Sequence, residues 1–285
     1  MKLGLGLFGL LLAMPLVMGF SGGIGTQSAT QTAQATTETQ APRVASICQA
    51  VSSAPHDAPV RKAVGEPLNR DQVRISFIGH STYLIETPEG VTIATDFNGY
   101  AGRFGPPQVI TMNKAHSSHY TLNPDPAIEF VLPGWDPNGG PIDHDLVVGD
   151  TYIRNVTTDI RSGFGGREPD ANSIFIFEVA GLCIGHLGHL HHELEDRHIA
   201  QIGRLDVLMV PIDGGLTIGH EKMGRIVKRL RASVILPMHR RGSSITSFLD
   251  LFGSDFAHQF SGQDTLTVTL RELPKQPTII ILQGV

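Results

Sequence analysis

The stretch Leu182-Cys183-Ile184-Gly185-His186-Leu187-Gly188-His189 joins a short apolar run to two histidines. A short apolar run bounded by turn residues is typical of a buried strand. The preceding run, Ile174–Val179, is separated from it only by Ala180-Gly181, so the two runs predict a hairpin. The histidines therefore follow the point where the second strand ends.

Two further strand-like segments end in the same way. The run 109–111 is followed by His116 and His119, and the run 234–236 is followed by His239. Ligand sites in open α/β sheets lie at the carboxyl ends of the strands, and neutral imidazole is a common metal ligand. The sequence therefore predicts that histidines from three strands converge on a metal site. Seven other histidines are expected to belong to the surface or to helix ends, namely His56, His144, His191, His192, His198, His220 and His258.

Composition limits the class of protein. Of the 285 residues, 41% are hydrophobic and 17% are charged, which is typical of a chain that can bury a core. The net charge is −5, and the dense basic runs are short, at 228–231 and at Arg240-Arg241. A nucleic-acid partner would need basic residues clustered over one face, so none is predicted. A small-molecule substrate is expected instead.

The order of segments indicates one folded domain behind an N-terminal extension. Residues 1–20 run from Met1-Lys2 into an apolar stretch, which predicts a signal peptide or an N-terminal anchor. The protein is therefore expected to be exported to the periplasm or outside the cell, with membrane attachment only through this segment if it is not cleaved. Residues 21–70 are rich in Ser, Thr, Gln, Ala and Pro and predict a flexible linker, which leaves 71–285 as the folded domain.

The two cysteines of the chain fall in different environments. Cys48 belongs to the predicted linker and Cys183 to the predicted strand. Free cysteine often packs as a small apolar residue, so two unpaired thiols are expected rather than a disulfide. From residue 71 to about 185 strands dominate, and beyond that point helices and strands alternate, which predicts layered sheets covered by helices.

Several motifs from about Val73 to the end of the chain resemble the metallo-β-lactamase superfamily, and in particular its ascorbate-phosphate-lactonase-like branch. The resemblance implies an α/β fold, the four-layer αββα sandwich of that superfamily, and a metal-dependent hydrolase. The matching motifs, in chain order, are Ile78-Gly79-His80-Ser81-Thr82-Tyr83-Leu84-Ile85-Glu86, Ala94-Thr95-Asp96, His186-Leu187-Gly188-His189 and Leu236-Pro237-Met238-His239.

The ligand motif departs from that family. Its His-x-His-x-Asp-His pattern falls on 114–119, where Lys114 replaces the first histidine and Ser118 replaces the aspartate. His116 and His119 match the second and third histidines. The family's metal-bridging aspartate falls on His189, its middle histidine is lost near Thr158-Asp159, and its final histidine is matched by His239.

The resemblance then implies a site with one metal ion, zinc being favoured over other divalent metals. His119, His189 and His239 are the expected ligands with His116 adjacent, since three imidazoles and a water are a sufficient zinc shell. The Lys114 ammonium is expected where a second cation would lie, and it would stabilise an oxyanion. Two further residues are expected in the catalytic machinery: Asp96 as the carboxylate that orients a ligand, with a turn-capping role as the alternative, and His80 on the same rim.

These expectations define a hydrolase that acts through a metal-bound water on an ester, lactone, amide or phosphodiester. The main alternative is a protein that kept the fold and binds a metal or a small ligand without catalysis. A third alternative is that the histidines are structural and bind nothing, although buried imidazoles need hydrogen-bond partners.

Overall fold

The computed structural model describes residues 45–49, 67–163 and 165–285. The predicted signal peptide or anchor and most of the predicted linker lie outside the described residues. Within the described part of the chain, no helix has the length and apolar character needed to cross a membrane.

The described residues form fourteen strands and three α-helices, with short 3₁₀ segments at Gly102–Phe104, Gly253–Asp255 and Leu270–Glu272. The helices are α1 (Asp196–Ile202), α2 (His220–Leu230) and α3 (Ile245–Leu249). The strands are β1 (Gln72–Gly79), β2 (Thr82–Glu86), β3 (Thr92–Ala94), β4 (Val109–Met112), β5 (Phe130–Pro133), β6 (Asp145–Val148), β7 (Thr151–Arg161), β8 (Arg167–Val179), β9 (Leu182–His186), β10 (Val207–Pro211), β11 (Val234–Met238), β12 (Ala257–Phe260), β13 (Thr265–Thr269) and β14 (Thr278–Ile281).

The strands of the described residues pair into two mixed sheets. The six-stranded sheet has the order β13-β1-β2-β3-β4-β5, and the eight-stranded sheet has the order β12-β14-β11-β10-β9-β8-β7-β6. Strands β9, β10 and β11 are parallel neighbours, as are β3, β4 and β5 in the other sheet. Each sheet therefore brings several carboxyl ends to one edge, which is where the predicted histidines follow.

Both faces of the eight-stranded sheet are buried, and the pattern of β8 shows why. Phe175 and Phe177 belong to the core between the two sheets, whereas Ile174 and Ile176 belong to the core under the helices. Alternate side chains of a strand point to opposite faces, so a strand covered on both sides is apolar at every position. Helix α2 contributes an apolar stripe to the outer core at the spacing of one helix face, formed by Met223, Ile226, Val227 and Leu230.

The α/β sandwich predicted from the sequence is confirmed by this architecture. A smaller core lies on the outer face of the six-stranded sheet, where Phe97, Ala101 and Ile128 pack on residues of β2, β3 and β4. In the described residues, this outer layer consists of loops and the Gly102–Phe104 turn, and the three α-helices cover the other sheet.

The expectation of two unpaired thiols was wrong, because Cys48 and Cys183 form a disulfide with their Cα atoms 5.9 Å apart. The reason lies in the buried Glu178 carboxylate of β8, whose register partner in β9 is Cys183. Ser46 Oγ donates to Glu178 Oε1 over 2.5 Å, and the Ile47 N–H donates to Oε2 over 2.8 Å. These bonds hold residues 45–49 against the sheet and bring Cys48 to its partner. Glu178 is the single acid in the apolar run Ile174–Val179, a sequence feature that marks the position of this docking but not its partner.

Candidate metal centre

Turns and strand ends from both sheets deliver the side chains of the site to one edge of the sandwich. In the six-stranded sheet, the β1–β2 turn carries His80, β3 is followed by Asp96, and β4 is followed by His119. In the eight-stranded sheet, β10 is followed by Asp213 and β11 by His239. Parallel strands end at the same edge, so these side chains meet although they are far apart in sequence.

Three imidazoles form the centre of the site. The ligand-capable nitrogens of His80, His119 and His239 all lie within 4.8 Å of one another. The ring centroids of His80 and His239 are 4.1 Å apart, and those of His119 and His239 are 5.0 Å apart. His119 and His239 are fully buried, whereas His80 is partly exposed, so the group opens to solvent on the His80 side.

Two carboxylates orient two of these imidazoles. His119 Nδ1 lies 2.6 Å from Asp96 Oδ2, and Asn113 Nδ2 donates to Asp96 Oδ1 over 2.8 Å. His239 Nδ1 lies 2.9 Å from Asp213 Oδ2, an ion-pair distance, although the angle at the ring is outside hydrogen-bond geometry. An ionised carboxylate only accepts, so the ring proton belongs on Nδ1 and the Nε2 lone pair faces the site. We therefore interpret Asp96 as the carboxylate that orients His119.

The electrostatics keep both carboxylates charged. Burial alone would raise the pKa of Asp96, but the imidazoles of His119 and His186 and the hydrogen bonds to its side chain hold its pKa below the usual value. Burial opposes ionisation of Asp213 as well. The close His239 imidazole and the hydrogen bonds from the Thr217 side chain and from the Gly215 and Thr217 backbone hold the pKa of Asp213 far below its ordinary range.

Two imidazoles of the site, those of His80 and His116, have lowered pKa values. Burial, followed by the nearby His239, His119 and Arg241, lowers the pKa of His80 to about 4. The pKa of His116 is also lowered, first by burial and then by neighbouring imidazoles. Neutral imidazole is the form that binds metals, so the site is electrostatically prepared for a cation.

The backbone of the site adopts left-handed conformations at residues other than glycine. The φ angles are +54° at His80, +43° at Asp96 and +53° at His239. Such positions cost about 1–3 kcal/mol each for residues other than glycine and cluster at functional sites. The His239 N–H donates to the His80 carbonyl oxygen over 2.7 Å, and His186 Nε2 donates to the Ser81 carbonyl oxygen over 2.9 Å. The surrounding contacts thus impose the strain and fix the His80 turn.

His189 lies beside the three imidazoles but bonds differently. Its ring centroid is 4.7 Å from that of His119 and 4.9 Å from that of His239. Its Nδ1 lies 2.7 Å from His191 Nε2, and its backbone N–H donates to Asn172 Oδ1 over 2.7 Å. Burial is the first cause that lowers the pKa of His189 far below its usual value, followed by the surrounding imidazoles. The His189 ring is therefore neutral near pH 7.

The structure places the rest of the predicted site at its rim. His116 is exposed, with its ring centroid 4.5 Å from that of His189. Lys114 is also exposed, and its ammonium group pairs with the Glu168 carboxylate. A role for Lys114 in place of a second cation would need this ion pair to open. The Ser118 hydroxyl is buried and lacks a hydrogen-bond partner among the described residues.

Some residues of the site had little or no signal in the sequence. Asp213 follows β10 and belongs to none of the motifs that carried the resemblance. Asn113 fixes the Asp96 carboxylate, yet it is an ordinary loop residue in the sequence. His191 was expected only at a helix start. The exposed Arg241, which lowers the pKa of both His80 and His116, belongs to the short basic run Arg240-Arg241.

The donor set fits a divalent metal ion. The Nε2 atoms of His80, His119, His189 and His239 are buried and have no hydrogen-bond partner within the described part of the chain. An unsatisfied buried nitrogen costs about 1–3 kcal/mol, and four in one place need an explanation. A cation bound by the lone pairs of the His80, His119 and His239 imidazoles would satisfy three of them, and imidazole suits zinc, copper, iron and nickel.

Comparisons with known proteins agree with the architecture. The sequence profile described as "Beta-lactamase superfamily domain" matches residues 74–239. A protein of Thermotoga maritima, described as a candidate Zn-dependent hydrolase of the metallo-β-lactamase superfamily, is 27% identical with a TM-score of 0.52, over 74% of this chain and 98% of its own. A candidate metal-dependent hydrolase of Parabacteroides distasonis is 16% identical with a TM-score of 0.48, over 64% of this chain and 89% of its own. None of the curated proteins compared with this chain matches it significantly.

The profile covers more than half of the chain. The chain belongs to the β-lactamase superfamily of metallo-β-lactamase-fold proteins.

Proposed function

We propose that this chain is a metal-dependent hydrolase with a single zinc ion held by His80, His119 and His239. The observation that carries the proposal is the approach of three ligand-capable imidazole nitrogens to within 4.8 Å of one another. The choice of ligands differs from the sequence-based expectation, because His80 belongs to the close group and His189 does not. The bound ion would lower the pKa of a coordinated water and polarise the scissile bond.

The chain's own groups prepare this chemistry. Asp96 holds the ring proton of His119 on Nδ1, so this ring presents a lone pair, and the Asp213 carboxylate lies 2.9 Å from Nδ1 of His239. The deep burial of His119 and His239 excludes bulk water behind the ligands and strengthens electrostatic interactions inside the site. The exposed His116 at the rim is in position to contact the substrate.

The charge at the mouth favours an anionic substrate. A cavity of about 310 Å³ is lined by His80, Arg240, Arg241 and Val285, among others. Arg240 donates to the Val285 carbonyl oxygen over 3.1 Å, whereas the exposed Arg241 guanidinium has no ion pair among the described residues. An unpaired guanidinium binds phosphate or carboxylate in a bidentate manner. Within the ester, lactone, amide and phosphodiester substrates considered, we therefore propose one that carries such a group, in line with the resemblance to the ascorbate-phosphate-lactonase-like branch.

Export is part of the proposal and rests on residues 1–20, outside the described residues. The Cys48–Cys183 disulfide supports it, because disulfides form and persist in oxidising compartments such as the periplasm.

The test combines metal analysis with turnover. Wild-type protein should contain zinc and hydrolyse at least one member of a panel of anionic esters, lactones, amides and phosphodiesters. His119→Gln and His239→Gln should lose zinc and at least 100-fold of kcat/KM, while His144→Gln, a partly buried histidine bonded to Pro133, should keep both. Full turnover of either ligand variant on the same substrate would contradict the proposal.

A protein that binds metal without catalysis is the second candidate. Its support is the pair of departures in the ligand motif, with the Lys114 ammonium engaged by Glu168 and a serine hydroxyl at Ser118. The two candidates separate in one experiment, because the second one predicts stoichiometric zinc with no turnover of any substrate in the panel.

A further inference from the structure

The hydrogen bonds around His191 decide where its ring proton lies. The backbone N–H of Arg161 donates to His191 Nδ1 over 2.6 Å. A backbone N–H can only donate, so His191 Nδ1 is the nitrogen without a proton. A neutral imidazole has one donor nitrogen and one acceptor nitrogen. Because Nδ1 accepts, the proton of His191 is on Nε2.

The proton on His191 Nε2 determines the tautomer of the neighbouring His189 ring. His191 Nε2 lies 2.7 Å from His189 Nδ1, so the His191 N–H donates and His189 Nδ1 accepts. Because Nδ1 of His189 accepts, the N–H of this ring is on Nε2. That nitrogen is buried and has no hydrogen-bond partner in the described parts of the chain.

The contrast with the neighbouring ring is direct. His119 has an acceptor, the Asp96 carboxylate, behind its Nδ1, so its Nε2 presents a lone pair to the site. His189 has a donor behind its Nδ1, so its Nε2 presents a proton. A protonated ring nitrogen cannot bind a metal ion, and the group of nitrogens within 4.8 Å of one another does not include His189.

We propose that His189 is a catalytic hydrogen-bond donor in this site rather than a metal ligand, and that His191 is the positioning residue that fixes its proton on Nε2. The acceptor of this hydrogen bond is a substrate oxygen, which gains negative charge when the carbonyl or phosphoryl group is attacked. A buried, fixed N–H aimed at a developing oxyanion stabilises it with little reorganisation. The identity of this acceptor rests on the proposed hydrolase function, whereas the position of the His189 proton does not.

The chain holds this relay in place from several sides. Arg161, which ends β7, donates through Nη2 to the carbonyl oxygens of Gly215 and Thr217 over 2.8 and 3.0 Å. The turn before His189 is tightly packed, because a Cβ atom on Gly188 would lie 2.4 Å from Asn113 Nδ2 and 2.5 Å from Asn172 Oδ1. The φ of Gly188 is +60°, which also favours glycine. The direction of the His189 ring is therefore set by packing on both sides.

The proton position is tested on the metal-free wild-type protein near pH 7 by long-range ¹H–¹⁵N correlation of the histidine rings. Two histidines serve as internal controls. His186 donates from Nε2 to the Ser81 carbonyl oxygen and accepts at Nδ1 from Gly188, so it shows the Nε2–H pattern. His119 shows the opposite, Nδ1–H pattern. His189 should match His186, and His191→Phe should convert its signal to a mixture of the two tautomers. A His189 signal with the Nδ1–H pattern in the wild type would overturn the proposal.

Variants of His189 test the donor role. His189→Gln keeps an N–H donor, and His189→Leu has none. Both should keep one zinc ion per chain with an affinity within about threefold of wild type, whereas His119→Gln should not. On a substrate that the wild type hydrolyses, His189→Leu should lose about 100-fold or more of kcat, the usual effect of removing one oxyanion donor, and His189→Gln should recover at least tenfold of that loss. Loss of zinc in His189→Gln to the extent seen in His119→Gln would refute the assignment.

The proposed hydrolase function and the proposed donor role of His189 can be refuted separately. Absence of any turnover with the expected tautomers would refute the hydrolase and leave the fixed His189 proton in place. Turnover with the opposite tautomer would refute the donor role alone.

Discussion

The substitution Asp96→Asn is the sharpest probe of the metal centre, because it changes one atom that faces a ligand. Asp96 Oδ2 faces His119 Nδ1, and Oδ1 accepts from Asn113 Nδ2. The side-chain amide of Asn113 cannot flip, since its Oδ1 accepts from the Ser173 N–H over 2.7 Å. The oxygen of the new amide must therefore face Asn113, and its NH₂ group must face His119. His119 then accepts at Nδ1 and carries its proton on Nε2, where the metal should bind.

The size of the effect follows from this geometry. Removing a carboxylate behind a histidine ligand typically costs 10- to 100-fold in metal affinity, or about 1.4–2.7 kcal/mol. The reversed tautomer also removes the lone pair of His119, so a loss of about 100-fold is expected. The backbone contributes little, because asparagine is among the residues that best tolerate the φ of +43° found at Asp96.

Zinc affinity is measured by competition with a chromophoric chelator, alongside the free energy of unfolding of the metal-free protein. Asp170→Asn is the matched control: Asp170 also has a left-handed φ, +54°, but its carboxylate accepts from Thr157 Oγ1. This control should keep the wild-type affinity. If Asp96→Asn also binds zinc within threefold of wild type, the carboxylate does not orient His119 as we argue.

Three further outcomes are expected. Reduction of the Cys48–Cys183 disulfide, which spans 135 residues, should lower the free energy of unfolding of the metal-free protein by about 2–5 kcal/mol in denaturant titrations, and a change below about 1 kcal/mol would contradict its role. Arg241→Gln should raise the KM for an anionic substrate roughly tenfold and leave the zinc content unchanged. If the substitution changes KM equally for a neutral and an anionic analogue, Arg241 does not bind the anionic group. His80→Gln should weaken zinc binding by about 10-fold or more in the chelator assay, whereas His116→Gln should not, and the reverse order would exclude His80 as a ligand.

Local patterns were sufficient to predict the fold. Short apolar runs predict the hairpin 174–185 and the alternation of helices and strands after it. The motifs around these runs resemble one superfamily. Those features depend on neighbours in sequence, which the pattern records directly. The histidines at the strand ends likewise mark the edge of the sandwich where the site forms.

Long-range contacts explain what the sequence did not predict. The ligand position of His80 depends on a turn held by the His239 N–H, 159 residues away. The disulfide depends on the Glu178 carboxylate, which captures a segment about 130 residues earlier in the chain. The role of His191 depends on an N–H at the end of β7, 30 residues away. Periodicity and spacing contain no information about such pairs.

The balance of charge argues for one metal ion rather than two. The imidazoles of His80, His119 and His239 are treated as neutral ligands, and the pKa values of Asp96 and Asp213 are held low, so the site has two negative charges. One divalent ion neutralises them. A second would be uncompensated in a buried environment, where an unpaired charge is costly.

Elemental analysis should therefore give one zinc per chain. His189→Asp, which adds a carboxylate beside His119, should increase binding of a second ion at raised zinc concentration, with His144→Asp as a control for an added acid elsewhere. Two tightly held ions in the wild-type protein would show that another group, such as His116 or His189, provides ligands, and both the charge argument and the donor role of His189 would then fail.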